Sequence, residues 1–217
     1  MKAIILFGLI ISSLCFNLRS TKQSYDSYVM AVQWANGYCS AVNCGNKNAN
    51  VEKNTMTIHG LWPGLKSGTM LKECTSGVSI TDDGSTTFQN MKKYWPSFGQ
   101  ANTKFWAHEY NKHGYCMVEE YGWSGYKDYF NFVINLHLKT YKDLIKKAFP
   151  GYSGTPTVAY DKMKEAIRRV IPGAMINMKC SSGYISEFYF YLEKNNFSPS
   201  PNSKFSNSCK QGKLVFK

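Results

Sequence analysis

Seven cysteines limit how this chain can fold: Cys15, Cys39, Cys44, Cys74, Cys116, Cys180 and Cys209. The first lies in a segment with the grammar of an address. Lys2 precedes an apolar stretch from Ala3 to Ile11, and small or polar residues follow, among them Ser12, Ser13, Asn17 and Ser20. One positive residue, a short apolar core and a small-residue exit define a secretory signal peptide. The apolar stretch is too short for a transmembrane helix. Cleavage after Cys15 or after Ser20 fits; residues 1–20 are taken as the leader and 21–217 as one domain. Either cut removes Cys15 and leaves an even six cysteines, the number for three disulfides in a secreted chain. Spacing leaves their pairing open, and no C-x₂-C pair points to zinc. Asn196-Phe197-Ser198, followed by Pro199, is the one glycosylation sequon, which makes Asn196 the expected acceptor.

The rest of the 217 residues is ordinary for a globular domain, 43% hydrophobic and 18% charged. No later run is apolar and long enough to span a bilayer, so a membrane anchor is not expected. The formal charge of +12 drops by only two with the leader, which carries Lys2 and Arg19. A basic mature chain favours anionic partners: nucleic acid, acidic glycans or an anionic membrane surface.

Periodicity predicts mixed elements. Tyr28, Met30, Val32 and Trp34 alternate as in a strand, Cys39 to Asn54 reads as loop, and Thr55 to Ile58 reads as a short strand ending by Gly60. Short helices are predicted over Thr87–Tyr94 and Asp161–Val170, and a helix over Phe105–His113 stopped by Gly114. Asp128 to Phe149 reads as one long helix with an apolar stripe of Phe130, Val133, Ile134, Tyr141, Leu144, Ile145 and Ala148. Ile185–Leu192 and Lys213–Phe216 are β-prone. Strands and helices without βαβ alternation indicate an α+β fold in a single domain.

Three of the four histidines lie in two short segments, Thr57-Ile58-His59-Gly60-Leu61-Trp62-Pro63 and Phe105 to Cys116. At roughly 100° per residue, His108, Lys112, Glu109 and His113 fall near 0°, 40°, 100° and 140° around a helix, so four ionisable groups share one side. Beside Phe105, Trp106 and Tyr110, the cluster resembles a half-buried site more than a solvated face. A zinc protease would need H-E-x-x-H. Here the histidines are five apart with Lys112 between them, a poor setting for a divalent metal. The set suits phosphoryl transfer without a metal. RNA cleavage at its own 2′-hydroxyl needs a base, an acid and positive charge around the phosphorane. Two histidines supply the proton chemistry near neutrality.

Thr57-Ile58-His59-Gly60-Leu61-Trp62-Pro63 resembles the first active-site segment of the T2 ribonuclease family. Phe105-Trp106-x-His108-Glu109-x-Asn111-Lys112-His113-Gly114-x-Cys116 resembles the second. Val32-Gln33-Trp34 with Tyr38-Cys39, Lys93-Tyr94-Trp95-Pro96, and Cys180 through Glu187-Phe188-Tyr189-Phe190 to Cys209 extend the likeness along the mature chain. The resemblance implies a central antiparallel sheet with packed helices, stabilised by Cys39–Cys44, Cys74–Cys116 and Cys180–Cys209. It implies His113 as general base and His59 as general acid, reversing in the second step. His108 would bind phosphate, and Glu109 and Lys112 would stabilise the pentacovalent intermediate. Trp62 would stack on a base and Gln33 would line a second base site. Gly64, Tyr110, Tyr115 and Ala35 depart from the common family pattern, and none is a proton-transfer group.

The expected activity is a secreted or lysosome-type (vacuolar) endoribonuclease acting on single-stranded RNA as a monomer, with neither cofactor nor metal. DNA, lacking the attacking hydroxyl, would resist. The alternative is a secreted basic binding protein on the same scaffold, since fold does not fix function. His137, on the apolar stripe, reads as a core histidine. Lys142, Lys146, Lys147, Arg168 and Arg169 read as solvated helix faces that could also draw in RNA.

Overall fold

A computed structural model describes residues 24–45, 51–69, 71, 74, 76–201 and 209–216. The leader, with Cys15, lies outside them. Strand β1 (Ser27–Trp34) is buried along its whole length. Its hydrogen-bonding edges are occupied by β2 (Met56–Gly64) and β5 (Tyr184–Glu193), both antiparallel. A strand enclosed on both faces reads as a near-continuous apolar run, and Ser27-Tyr-Val-Met-Ala-Val-Gln-Trp34 is one. On the far edge of β5 lies β4 (Ile176–Ser181), also antiparallel. Two three-residue strands, β3 (Thr157–Ala159) and β6 (Gln211–Lys213), complete the six-stranded sheet. The fold is α+β, with a central antiparallel sheet and packed helices.

Between the strands come α1 (Ala35–Ala41), α2 (Thr86–Tyr94), α3 (Asn102–Glu109), a π-helical turn (Tyr110–Gly114), α4 (Tyr115–Tyr121), α5 (Tyr126–Thr140), α6 (Leu144–Ala148) and α7 (Tyr160–Val170). The stripe from Phe130 to Ala148 is buried as its period requires. The three disulfides are Cys39–Cys44, Cys74–Cys116 and Cys180–Cys209.

Several boundaries differ from the sequence reading, each for a local reason. The segment from Cys39 onward is not all loop, because α1 runs through Cys39 to Ala41. The strand that was to end by Gly60 continues to Gly64 and includes Pro63. Proline is tolerated there because β2 is an edge strand with β1 as its one neighbour. Gly114 does not end its helix; the chain passes through the π turn into α4 and stops at Gly122, whose φ is 64°. What Gly114 serves is close approach, since a Cβ there would sit 2.7 Å from the Tyr129 ring.

The helix expected over 128–149 is two helices. The amides of Tyr141 and Lys142 both fall back on the His137 carbonyl, at 2.8 and 3.0 Å. The Lys142 carbonyl is then free to accept from Met56 N at 2.8 Å, so the start of β2 interrupts the helix. At the C-terminus, β6 covers Gln211–Lys213, and Phe216 makes only an isolated bridge to Gly154.

The exposed edge of β2 is closed by side chains. Trp95 Nε1 donates to the His59 carbonyl at 2.8 Å, and Tyr129 OH donates to the Leu61 carbonyl at 3.1 Å. His137 Nε2 meets the Met56 carbonyl at 3.1 Å. Backbone groups on a sheet edge need such partners when buried. His137 is fully buried in this role, away from the histidine cluster.

Candidate active site

His59 owes its aim to an irregularity in β2. Ala31 of β1 faces Gly60 and Val32 faces Ile58, which leaves His59 as the extra residue of a β-bulge. Bulges bend a strand and redirect a side chain, often beside a functional site. The His59 carbonyl, out of the ladder, is the one that Trp95 takes up.

The second segment is shaped by the π turn. Hydrogen bonds closing five residues on bring positions five apart toward one side. His108 and His113 have that spacing, which a regular α-helix would splay. The turn is anchored by Cys74–Cys116 and by Cys74 N donating to the Lys112 carbonyl at 3.3 Å. Asn111 holds it from the other side, its Oδ1 accepting from Val78 N at 3.1 Å and its Nδ2 donating to the Val78 carbonyl at 2.9 Å.

Together these pieces enclose a cleft of about 440 Å³ lined by His59, Trp62, Leu71, His108, Glu109, Lys112 and His113. Six of the seven residues that the sequence singled out for chemistry or RNA contact line it. The seventh, Gln33, lies on β1 in an adjoining cavity of about 450 Å³ that shares His59 and includes Tyr38, Phe98, Phe105 and Lys179. Trp62 Nε1 donates to Glu109 Oε2 at 2.8 Å. The Trp62 ring lies between those of His59, His113 and Tyr189, with centroids 5.1, 5.4 and 5.8 Å away. Asn196 is exposed, in the turn after β5. Among the departures from the family pattern, Tyr110 packs in the core against Tyr129 and Phe130 and lines neither cavity.

Sequence reasoning missed Glu187 as a site residue. It is 2% exposed and meets His59 Nδ1 with Oε2 at 3.0 Å. Tyr189 OH donates to the same oxygen at 2.7 Å, and Lys179 Nζ to Oε1 at 3.1 Å. A signal was present: Glu187 is the one charge between Tyr184 and Leu192, where every other residue but Ser186 is aliphatic or aromatic. On the other side, His59 Nε2 lies 3.7 Å from Glu109 Oε1.

These surroundings separate the titrations. Burial by itself would lower His59, but the Glu187 hydrogen bond and the charges of Glu109 and Glu187 outweigh it and hold the imidazole above its usual range. Burial and the nearby Lys112, His108 and His59 push His113 down to about 3. His108 is lowered for the same kinds of reason, burial first and then Lys112. The carboxylates divide too. Burial raises Glu109, against the pull of His59 and Trp62. Glu187 feels a similar burial, but His59, Tyr189 and Lys179 overcome it and hold it near 2. The two histidines are thus shifted in opposite directions, His59 up and His113 down. Among the described residues no three histidine, cysteine, aspartate or glutamate side chains converge as metal ligands would, and no helix is long and apolar enough to cross a membrane.

An α+β domain with paired, oppositely tuned histidines and a lysine in one cleft is built for acid–base chemistry on an anionic substrate. The chain belongs to the Ribonuclease T2 family, whose model matches residues 25–209, and is a T2-type RNA-cleaving endoribonuclease. It is 30% identical over 182 residues to ribonuclease DdI of Dictyostelium discoideum, covering 80% of this chain and 76% of that one. Ribonuclease Rh of Rhizopus niveus is 33% identical over 190 residues, covering 77% and 73%. A solved RNase-related protein from Calystegia sepium superposes with a TM-score of 0.72 over 89% of this chain and 98% of its own, at 20% identity.

Proposed function

We propose that the chain cleaves single-stranded RNA in two steps without a metal. In the first step, His113 takes the proton of a ribose 2′-hydroxyl, the 2′-oxygen bonds to the adjacent phosphorus, and the bond to the 5′-oxygen breaks. His59 gives that leaving oxygen a proton. The product is a 2′,3′-cyclic phosphate. In the second step the roles reverse: His59 takes a proton from water, the water oxygen bonds to phosphorus, the bond from phosphorus to the 2′-oxygen breaks, and His113 returns its proton to that 2′-oxygen. A 3′-phosphate results, and atoms and charge balance in both steps.

The observation that carries this reading is the pair of histidines in one cleft with opposite shifts, His59 up and His113 down. Nδ1 of His113 is enclosed and has no partner among the described residues, so its other nitrogen serves the cleft. Exposed His108 and Lys112 bind the phosphate oxygens. Glu109, held by Trp62, stabilises the crowded phosphorus centre with Lys112. Trp62 stacks on a base, a contact tolerant of sequence. Gln33 reads a second base in the adjoining cavity. The chain acts as a monomer outside the cytosol, secreted or in a lysosome-type compartment, after loss of residues 1–20, with Asn196 as the glycan acceptor.

The test is a labelled single-stranded RNA and the same oligomer as DNA, with EDTA, with ends identified by mass. Cyclic phosphate and then 3′-phosphate from RNA alone, with His113→Ala slower by about 10²–10⁴-fold, is the expected result. Cleavage of DNA, abolition by EDTA, or an active His113→Ala would refute it. Salt-sensitive RNA binding with no cleavage would move the assignment to the basic binding protein.

A further inference from the structure

We propose that Glu187 is a positioning residue for His59: it fixes the imidazole with its proton on Nδ1, so that Nε2 alone faces the reacting phosphate. This rests on the reading of His59 as the proton donor to the leaving oxygen. Glu187 itself touches no reacting atom.

The geometry argues the point in three parts. First, the Nδ1–Oε2 distance of 3.0 Å is that of a hydrogen bond, whereas the Nε2–Glu109 distance of 3.7 Å is not. Nδ1 is therefore the committed nitrogen. An ionised carboxylate only accepts, so the Nδ1 proton stays whether His59 is charged or neutral. Neutral His59 then presents a bare Nε2 for the second step, and charged His59 presents an Nε2 proton for the first. Second, the carboxylate is itself immobilised. Tyr189 and Lys179 occupy both its oxygens from β5 and β4, so the imidazole is held against the sheet rather than against another mobile side chain. Third, the bulge at His59 leaves its backbone outside the ladder. An unpaired ring on a bulged residue has more freedom to turn than one in a regular strand, and Glu187 removes it.

The groups facing His59 come from every element around it. Glu187 and Tyr189 lie on β5 and Lys179 on β4. Glu109 and His108 lie on α3, and Lys112 and His113 on the π turn. Of the acidic pair, Glu187 is pulled down by His59, Tyr189 and Lys179, whereas burial raises Glu109.

The experiment pairs two substrates with one base: a dinucleoside 3′,5′-phosphate, whose leaving oxygen needs a proton, and a nucleoside 3′-(4-nitrophenyl phosphate), whose aryl oxygen does not. Glu187→Gln keeps the shape and removes the charge. Expected is a loss of about 10–100-fold in kcat on the dinucleotide with KM retained, and little change on the aryl ester. The alkaline limb of the pH profile should move down by about one unit or more, while the acidic limb stays. Glu187→Asp should recover part of the loss.

Nitrogen NMR of the His59 ring reads the tautomer independently of activity. The Nδ1 proton should dominate in the wild type and mix with the other tautomer in Glu187→Gln. Lys179→Met frees Oε1 but leaves Tyr189 and His59 on Oε2, so it should weaken the Nδ1 preference and the leaving-group ratio much less than Glu187→Gln does. An unchanged tautomer in Glu187→Gln, equal losses on both substrates, or a Lys179→Met that reproduces Glu187→Gln would overturn the proposal. A His59→Ala variant that slows both substrates alike, with the tautomer result intact, would instead refute the assignment of His59 as the acid.

Discussion

Gly60 tests the architecture of the cleft without touching a proton-transfer group. It pairs with Ala31, and a methyl group there would collide with Glu109 Oε2 and Trp62 Nε1, the two atoms joined by a 2.8 Å hydrogen bond. Neither can retreat easily. Glu109 is 2% exposed, and the indole is hemmed in by His59, His113 and Tyr189. Gly60→Ala therefore breaks the bond. Leaving a buried donor unpaired costs about 1–3 kcal/mol. If that falls on the transition state, at about 1.4 kcal/mol per decade, kcat/KM drops by about 5- to 150-fold. Overpacking of about 1–3 kcal/mol should lower Tm by roughly 2–12 °C in a domain this size. Both are measurable, by steady-state cleavage of a short single-stranded RNA and by thermal melting. A double-mutant cycle sharpens the test. Trp62→Phe removes the indole nitrogen, so adding Gly60→Ala to it should cost much less than in the wild type. Wild-type rate and Tm in Gly60→Ala, or strictly additive losses, would show that the Gly60–Glu109–Trp62 contact is not what shapes the site.

Activity should follow the two histidines. The proposed first step needs His113 neutral, a form lost below about pH 3, and His59 protonated, a form lost above its raised pKa, so kcat/KM should plateau in mildly acidic solution and fall toward alkali; a flat profile from about pH 4 to 9 would contradict this. His137 is buried with its folded pKa near 3 against an ordinary 6.5. The unfolded chain therefore binds more protons between those values, and stability should fall on acidification through that window, by at most about 1.4 kcal/mol per pH unit from this group. His137→Gln, which keeps a donor for the Met56 carbonyl, should flatten the dependence of Tm on pH; an unchanged slope would place the acid sensitivity elsewhere. Replacing Cys74 and Cys116 by serine opens a loop of 42-residue separation and should cost about 4 kcal/mol, read as a large fall in Tm together with loss of activity as the π turn loosens; a Tm within about 2 °C of the wild type would contradict the anchoring role.

Much of the site was legible because its residues come in two short runs. Local helix geometry already placed His108, Glu109, Lys112 and His113 on one side, and the likeness of both runs to one family joined His59 and Trp62 to them. Glu187 was not legible as a partner of His59. It lies 128 residues away, and no local period links a bulged position in β2 to an inward position in β5. The break at 141–143 was invisible for a related reason. The apolar stripe continues across it, and only the competing demand of Met56 N for a carbonyl interrupts the helix. Gly114 misled because glycine ends helices when its freedom of φ is used, whereas here its lack of a side chain admits the Tyr129 ring.

By itself, then, the sequence determined the class of fold, the buried faces, and the inventory of acids, bases and cations, since periodicity and side-chain chemistry are properties of short segments. Tertiary structure alone decided which carboxylate is pulled down and which pushed up, which histidine is raised and which lowered, and which nitrogen of His59 meets a carboxylate at hydrogen-bond distance. Those depend on burial and on distances of a few ångströms between β2, β4, β5 and α3, and such distances exist only once the strands have paired and the helices have closed over the cleft.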